Sequence, residues 1–564
     1  MECPGHNHEG RHLMIDSIEK LADKLNLNPA TWQESSKEEN ELGWSPGHPI
    51  PEDPLRWGDR FPDGAKKTLR KTQMRRNLGY ATTKIRTKRN TRVDEMPDWE
   101  ELREAGSNIK RNVAANQVEL LEQFEENVKA RGGIVHWARD GEEANKIAFD
   151  IIKAKQVDEV VKVKSMATQE INFNEYLKAR GVQAWETDLA EMIVQLSEDM
   201  PSHIVVPAIH RNRAEVKAIF EARMGDAPEN MGNEPRELAM AARAHLRKKF
   251  LSAKVAISGA NMGIAESGTL SVFESEGNGR MCLTLPETLI TVMGIEKIVP
   301  TYRDVEVFSQ LLPRSATGER MNPYTSFWTG VTPGDGPQEF HLILLDNGRT
   351  NVLKDPVGRE ALKCIRCGAC MNICPVYQHV GGHAYNSVYP GPIGAILTPQ
   401  LLGAFDHHDP ASTLPFASSL CGACYDACPV KINIPEILVH LRHRYTEANR
   451  GGVPSGWDIG MKASAKAMSS GKTMAAAGKV MPAGNLIAGP DHKIGHIPLP
   501  VVSNWTFVRD VPAPPTQTFR DWWKDREQDS TGKPEPTPSP ATGPTEPAEV
   551  PGGPAAESTQ GETK

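Results

Sequence analysis

The sequence lacks the features that would assign it to several common classes of protein. It contains no run of the roughly 20 apolar residues that a membrane-spanning helix needs. Its first residues, MECPGHNHEG, lack the charged and apolar regions of a secretory signal, and no GxGxxG precedes an acid as in a nicotinamide or flavin fingerprint. A net charge of −7 gives no global positive field for nucleic acid. We therefore expect a cytoplasmic protein without a transmembrane segment, which reaches the inner face of a membrane only through partners.

The chain is long enough for several domains, since 564 residues correspond to roughly three or four. Its composition, 39% hydrophobic and 24% charged, is that of an ordinary globular protein. We expect five segments, in chain order: a polar and basic extension (1–95), an α/β domain (96–350), a helical cysteine-bearing domain (351–450), a mixed C-terminal region (451–525) and a disordered Pro/Glu-rich tail (526–564).

The predicted α/β domain is recognised by short apolar runs with strand character. They are GGIVHWA, EVVKVK, VQAWET, SHIVVPA, KVAISGA and GTLSVFES, with HLILLDNGR (341–349) as a last strand and turn. Several alternate with helical stretches such as GEEANKIAFDIIKAK (141–155). This alternation favours a largely parallel sheet covered by helices.

A basic run precedes this domain, with eleven Lys and Arg residues and no acid over 66–92. The main interpretation is a solvated basic helix or arm. Docking of a phosphate or an acidic partner is the alternative.

Nine cysteines are present, and seven of them fall between 364 and 428. Clustered cysteines in a reducing cytoplasm indicate metal ligands rather than disulfides. Cys282 stands alone and is expected to be a buried structural thiol. Cys3 could bind a metal together with three nearby histidines, but a frayed terminus is the expected structure there; the histidines are His6, His8 and His12.

The first cysteine group has the spacing of the bacterial ferredoxin motif, C-x2-C-x2-C-x3-C-P. It reads Cys364-Ile-Arg-Cys367-Gly-Ala-Cys370-Met-Asn-Ile-Cys374-Pro. Three thiolates one short turn apart can hold three corners of a [4Fe–4S] cluster, while the fourth is directed to another cluster. Zinc is the competing ligand, but it usually takes two ligand pairs rather than four thiolates ending in Cys-Pro.

The second group repeats this run with Ser418 in place of its first cysteine, as SSLCGACYDACP (418–429). Crosswise pairing assigns four ligands to cluster one: Cys364, Cys367, Cys370 and Cys428. It assigns three ligands to cluster two: Cys374, Cys421 and Cys424. The fourth position of cluster two is open to Ser418, another side chain, water or a bare iron, and a three-iron cluster also fits. Two adjacent clusters predict electron transfer.

The stretch between the motifs, 375–420, is long for a small ferredoxin of β-type. Its length matches the helical ferredoxin domains of respiratory enzymes better than it matches a minimal bacterial ferredoxin. Four histidines lie in it and could tune or ligate cluster two, although we expect them to be plain hydrogen-bond donors: His379, His383, His407 and His408.

These motifs and several further segments resemble the lactate utilisation protein B family. The resemblance runs from about 65 to 525 and includes CIRCGACMNICPVYQHVGGHAYNSVYPGPIGAILTP, SSLCGACYDACPVKINIPEIL, VKSMATQEINFNE, SHIVVPAIHRN, LRKKFLSAKVAISGANMGIAESGTLSVFESEGNGR and NWTFVRDVPAPPTQTFRDWW. Ser418 is usual for this family. The family's α/β part, the LUD domain, resembles sugar-phosphate isomerases and CoA transferases in fold.

The resemblance implies one subunit of a three-part iron–sulfur system that oxidises L-lactate to pyruvate and allows growth on lactate. The implied partners are a cysteine-rich subunit like the glycolate oxidase iron–sulfur subunit and a small LUD-domain subunit. Electrons would pass on to a quinone-linked or other carrier. Two other functions remain open: electron transfer from another 2-hydroxy acid such as glycolate, and a binding module that senses a metabolite and redox state.

Candidate ligand-binding residues in the α/β domain come from strand ends and Gly-rich turns. Lys164 and Ser165 follow a likely strand, where ligands of open α/β sheets lie. Glu266 could act as a base or nucleophile, and Arg280 could clamp a carboxylate by its fork geometry. Glycines at strand ends also mark plain turns, so catalysis by this chain is not established by these residues.

Overall fold

The computed structural model of the chain describes residue 44 and residues 50–451, 456–495, 497 and 511–529. The chain divides into two compact units after Arg450. Cys3 and its neighbouring histidines lie outside the described residues, as do residues 530–564 of the predicted disordered tail. Within the described chain, no helix has both the length and the apolar character that crossing a membrane requires.

The α/β part is built on a six-stranded sheet in the order β1-β10-β7-β4-β2-β3, in which every neighbouring pair is parallel. Its strands are Ile134–Ala138 (β1), Glu159–Lys162 (β2), Gln183–Glu186 (β3), Val255–Ser258 (β4), Thr288–Gly294 (β7) and Glu339–Leu345 (β10). The alternation of strand and helix in the sequence predicts such a sheet. The central strands β4, β7 and β10 are almost fully buried because helices cover both faces.

Helices and a smaller sheet surround these strands. The helices are Trp99–Ala115 (α3), Gln117–Ala130 (α4), Gly141–Ala154 (α5), Met166–Glu170 (α6), Phe173–Lys178 (α7), Leu189–Leu196 (α8), Arg213–Arg223 (α9), Pro235–Ser252 (α10), Asn278–Thr284 (α11), Tyr302–Ala316 (α12) and Arg349–Lys354 (α13). The smaller sheet has the order β8-β5-β6-β9, with Met262–Ile264 (β5), Thr269–Glu274 (β6), Ile298–Val299 (β8) and Tyr324–Trp328 (β9).

The predicted strand SHIVVPA (202–208) is wrong, because these residues form a chain of turns. The imidazole Nδ1 of His203 accepts hydrogen bonds from the backbone N–H groups of Val205 and Val206, at 3.0 and 3.1 Å. Such local bonds give the backbone an alternative to a sheet ladder. The segment instead packs on the cysteine-bearing region, where the Tyr377 hydroxyl donates to the Ser202 carbonyl at 2.7 Å.

The basic run is helical, as one form of the prediction has it, but one face of the helix is packed rather than solvated. Phe61–Leu69 (α1) and Thr72–Asp94 (α2) precede the α/β part. Leu78 is fully buried, and Met74 and Thr82 lie on the same inward face. Apolar residues at this spacing anchor α2, while its charged residues cover the outer face.

The cysteine-bearing region consists of short helices around a shared core. They are Ala369–Ile373 (α14), Pro375–Val380 (α15), Gly391–Leu402 (α16), Ala423–Ala427 (α17) and Ile434–Ala448 (α18). The eleven residues Gly391–Leu401 of α16 are all buried, so this helix forms the centre of the region. The second unit contains Gly456–Met468 (α19), Gly471–Val480 (α20), a two-stranded ribbon of Lys493–Ile494 (β11) and Val511–Pro512 (β12), and Phe519–Asp529 (α21).

Candidate metal centre

The two cysteine motifs adopt the same backbone conformation although their sequences differ. The residue before the second cysteine position has a positive φ in both, 61° at Arg366 and 57° at Leu420. The glycine after that position is left-handed too, with φ of 74° at Gly368 and 84° at Gly422. Each loop then enters a five-residue helix, α14 or α17. The loops are therefore structural equivalents, and each side chain of one has a counterpart in the other.

Four cysteines from the two motifs surround one small cavity, and they are Cys364, Cys367, Cys370 and Cys428. Three come from the first motif, and the fourth is the last cysteine of the second motif. The remaining walls are largely apolar and include Ile365, Ile393 and Ile432. This is the grouping that crosswise pairing requires for cluster one.

The other three motif cysteines form a second group. Burial, followed by the charges of Cys374 and Cys421, raises the pKa of Cys424 to about 12. Cys374 and Cys424 are buried, whereas Cys421 is exposed. The second group thus reaches the protein surface, and the first lies inside.

Ser418 occupies the place equivalent to Cys364. Its Oγ accepts a hydrogen bond from the N–H of Leu420 at 3.1 Å. In the first motif, the Cys364 Sγ accepts the N–H of Arg366 at 3.4 Å, which is the same bond between equivalent residues. The serine oxygen therefore lies where a fourth sulfur of the second group would lie.

The chemistry of both groups fits iron–sulfur clusters. Burial raises the pKa of Cys428 to about 11 and that of Cys370 well above its usual value, so the free thiols are protonated and inert. Coordination to a metal removes such protons, and soft thiolates in apolar surroundings suit iron–sulfur clusters. Backbone N–H groups also donate to sulfur, from Ile432 to Cys428 at 3.4 Å and from Tyr377 to Cys374 at 3.5 Å, and such bonds tune cluster potentials.

Two arginines, one in α2 and one in α3, hold the end of the second motif. Arg103 donates from Nε to the Cys428 carbonyl and from Nη2 to the Tyr425 carbonyl, both at 2.9 Å. Arg89, within the basic run, donates to the Ala427 carbonyl at 3.0 Å. At least this part of the basic run therefore orients the loop that carries Cys428.

Three of the four histidines between the motifs use their rings in other hydrogen bonds. The His383 Nε2 lies 2.7 Å from the Met200 carbonyl oxygen, and the His379 Nδ1 lies 2.7 Å from that of Pro375. His407 pairs with the Asn449 side chain at 2.7 Å, and the His408 ring contacts the His407 ring in a tilted arrangement, with centroids 3.8 Å apart. These contacts match the expectation of hydrogen-bonding groups for His379, His383 and His407, whereas His408 makes a ring contact.

The α/β part contains a cavity of about 390 Å³ at the carboxyl ends of β2, β4 and β7. Both Lys164 and Ser165 line it, as their position after β2 suggests. The Lys164 Nζ donates to the Val205 carbonyl at 2.6 Å, and Ser165 caps α6. These two candidates thus lie at a cavity wall, with their nearest polar groups already bonded to protein.

The other two candidates in this domain lie outside that cavity. Glu266 is exposed, and its carboxylate accepts the N–H of Tyr302 at 2.7 Å, so it serves the start of α12. The side chain of Arg280 is exposed on α11. Cys282 is fully buried, with Sγ 3.7 Å from the Thr187 hydroxyl, and burial raises its pKa to about 12, as expected for a structural thiol.

Sequence reasoning missed the charged residues between the cavity and the first cysteine group. Arg366 is buried inside the first motif, with Nη2 3.3 Å from Glu296 Oε1 and its guanidinium 4.8 Å from the Tyr389 ring centroid. Lys297 donates to the Cys364 carbonyl at 3.3 Å. All four residues line the cavity. One signal in the sequence could have identified Arg366: the first motif carries an arginine where the second motif carries Leu420.

Family models match three consecutive parts of the chain. The LUD domain matches residues 121–345, the 4Fe-4S dicluster domain matches residues 360–432, and the model "Lactate utilisation protein B, C-terminal" matches residues 452–528. A DUF162 family protein from Deinococcus radiodurans is 16% identical, over 41% of this chain and 98% of that one, with a TM-score of 0.24.

Curated relatives match nearly their whole length. Lactate utilization protein B of Bacillus subtilis is 44% identical over 481 residues, which are 85% of this chain and 98% of the relative. The proteins of the same name from Bacillus licheniformis and Oceanobacillus iheyensis are also 44% identical, over 83% and 80% of this chain and 97% and 93% of theirs. The chain belongs to the lactate utilization protein B family and carries its LUD and 4Fe-4S dicluster domains.

Proposed function

We propose that the chain holds two iron–sulfur clusters with crossed ligands. The observation that carries this proposal is the grouping of Cys428, from the second motif, with the first three cysteines of the first motif. Cluster one takes these four thiolates. Cluster two takes Cys374, Cys421 and Cys424, with Ser418 as its fourth ligand. When bound, such clusters accept and pass on single electrons.

The two sites suit different ends of an electron relay. Cluster one is enclosed between the motifs and borders the α/β cavity through Arg366. Cluster two includes the exposed Cys421, and Leu420 and Tyr425 beside it are also more than a third exposed. Electrons therefore enter near cluster one and leave through cluster two to a partner at the surface. Hydrogen bonds from Arg89 and Arg103 keep the shared Cys428 loop in place.

The relatives' name supports a role in lactate utilisation, and we propose that the electrons derive from oxidation of L-lactate to pyruvate. The chain would work with a cysteine-rich iron–sulfur subunit and a small LUD-domain subunit, and it would contact a membrane only through partners. The four-thiol cavity alone would also suit zinc, but the repeated motif and the match to a 4Fe-4S dicluster domain favour iron–sulfur clusters.

The test is visible absorption of the anaerobically prepared chain on addition of L-lactate, with and without the two candidate partner subunits. We expect the clusters to bleach when the partners are present, because reduced clusters absorb less. Bleaching by glycolate but not by L-lactate would move the assignment to another 2-hydroxy acid. Clusters that dithionite reduces but neither acid bleaches would contradict the proposed function.

Replacing Ser418 tests the fourth ligand of cluster two. In Ser418→Ala the oxygen is lost, so we expect cluster two to lose one iron on mild oxidation and to give the electron paramagnetic resonance signal of a three-iron cluster. Ser418→Cys supplies a fourth thiolate and should keep all of its iron under the same treatment. Ser419→Ala, at the exposed neighbouring residue, is the control. Equal iron retention in all three variants would mean that Ser418 is not a ligand.

A further inference from the structure

The α/β cavity and the cysteine-bearing region share a wall. Lys164, Ser165 and the bare backbone of Gly259 and Gly294 contribute the sheet side. Three carboxyl groups also line the cavity, and burial raises the pKa of two of them; they are Asp188, Glu274 and Glu276, with the raised pKa at the last two. Arg366 contributes the other side, from within the first cysteine motif. A molecule in this cavity would therefore contact both the carboxyl end of the sheet, where α/β proteins bind ligands, and the loop around cluster one.

Arg366 is a charged group that faces this cavity without a full set of partners among the described residues. Its side chain is only 8% exposed, Nη2 is shared with Glu296 and the guanidinium also interacts with the Cys364 thiol, but the buried Nη1 has no hydrogen-bond partner of good geometry among the described residues. Leaving a buried charged donor unsatisfied is costly, so a further acceptor is expected here, which a ligand or an ordered water would supply. A guanidinium presents paired N–H groups that match a carboxylate.

The second motif shows that the loop itself does not need an arginine. Leu420, at the equivalent position, has nearly the same positive φ and a side chain that points to the surface. The left-handed conformation is therefore part of the shared loop geometry, while the arginine is particular to the motif that borders the cavity. The presence of an arginine at position 366 is therefore explained by the cavity that its side chain faces.

Lys297 provides a second nitrogen donor on the same wall, and burial followed by the charge of Arg366 lowers the pKa of its ammonium group to about 7. It is bonded through one N–H to the Cys364 carbonyl at a long distance of 3.3 Å, so its other N–H groups remain available to a ligand. At Gly294 an added Cβ would lie 2.2 Å from Glu296 Oε2 and 2.6 Å from Arg349 Nε. Only glycine therefore leaves room for the ion pair between Glu296 and Arg349 to pack against the end of β7.

We propose that this cavity binds a small carboxylic acid of the 2-hydroxy acid class, with its carboxylate held by Arg366 and Lys297. The class of acid rests on the proposed function. A three-carbon acid fills only part of about 390 Å³, which leaves room for ordered water around its hydroxyl group. Bound there, the acid lies beside the first cysteine motif rather than on a separate subunit.

Compensation of the negative charge of cluster one is the competing role for Arg366 and Lys297. It predicts that both residues affect cluster one but that no acid binds to this chain. Binding of acid to the cluster-loaded chain is therefore the decisive measurement.

The experiment is titration calorimetry of the full-length, cluster-loaded chain under anaerobic conditions. The probes are L-lactate and lactamide, which lacks the carboxylate. We expect L-lactate to bind and lactamide to bind at least about tenfold more weakly, since one charged hydrogen-bonded contact corresponds to about that factor. Arg366→Leu, which copies the second motif, should weaken L-lactate binding at least about tenfold while iron content and visible spectrum are unchanged.

Arg280→Leu is the matched control, because it removes an arginine outside the cavity, and it should bind L-lactate as the unaltered chain does. If Arg366→Leu fails to retain iron, Lys297→Gln becomes the test variant. It should also weaken L-lactate binding at least about tenfold. No binding of L-lactate to the unaltered chain, equal binding of lactamide, or full binding by the substituted chain would each overturn the proposal.

These outcomes are separate from those of the proposed function. Calorimetry needs no turnover and no partner, so binding without lactate-dependent bleaching would retain the site and reject the relay. Bleaching in the presence of partners, without binding of acid to this chain, would retain the relay and move the substrate site to another subunit.

Discussion

Replacing Cys428 with alanine is expected to remove the cluster that is held mainly by the first motif. Iron content should fall from about eight to about four atoms per chain, since a [4Fe–4S] cluster needs its full ligand set to persist. Lactate-dependent bleaching should disappear, because the proposed entry point for electrons is cluster one and only cluster two, at the surface, remains. Anaerobic iron and sulfide analysis, with electron paramagnetic resonance of the dithionite-reduced chain, measures this loss.

Double substitutions identify which cluster is lost. Cys428→Ala combined with Cys364→Ala should retain about four iron atoms, because both substitutions affect the same cluster. Cys428→Ala combined with Cys374→Ala should retain almost none, because each removes a ligand from a different cluster. Loss of almost all iron in both combinations would mean that each motif holds its own cluster. Cys282→Ala, at the buried thiol outside the motifs, is the control for loss of iron through general destabilisation.

Spacing in the sequence accounts for the cysteine grouping because the motif is local. Cys364, Cys367 and Cys370 converge through two left-handed residues and one short helix, all of which lie within the motif. The position of Cys428 beside these three cysteines follows from the repeat of the same loop in the second motif. The parallel sheet was predictable for a related reason, since apolar runs alternating with helical stretches leave few other arrangements.

Contacts between distant segments could not be predicted in this way. SHIVVPA has the composition of a strand, yet packing against Tyr377 and local bonds to His203 keep it out of the sheet. The basic run reads as solvated because its charge is conspicuous, whereas Leu78 and Arg89 bury one side of the helix. Glu266 and Arg280 follow Gly-rich segments, but only the fold shows which turns face the cavity.

A buried charge network joins the sheet to the cysteine-bearing region. The Arg349 guanidinium contacts both oxygens of Glu170, at 2.8 and 2.9 Å, and its Nε lies 2.6 Å from Glu296 Oε2. The hydroxyl of Tyr389 donates to Glu170 at 2.6 Å, and Arg366 completes the link to the first cysteine motif. Arg349 and both acids are at most 3% exposed. The position of the α/β cavity relative to cluster one therefore depends on this arginine.

Arg349→Met should consequently lower the free energy of unfolding by about 3–5 kcal/mol, because two carboxylates would remain buried without their main counter-charge. Methionine keeps the apolar bulk, so the loss reports the charge rather than a cavity. Arg139→Met removes a cation from an exposed pair with Glu143 and should cost far less. Urea unfolding of the anaerobic, cluster-loaded chain, followed by far-ultraviolet circular dichroism, compares the two variants.

A rescue experiment separates loss of charge balance from general damage at this position. Adding Glu170→Gln and Glu296→Gln to Arg349→Met removes the uncompensated carboxylates, so part of the lost stability should return. The restored chain should also recover the iron content of the unaltered protein if the network acts by holding the first motif against the sheet. Equal stability of Arg349→Met and Arg139→Met would show that the carboxylates are protonated or hydrated without the arginine, and that the two regions are held together by apolar packing alone.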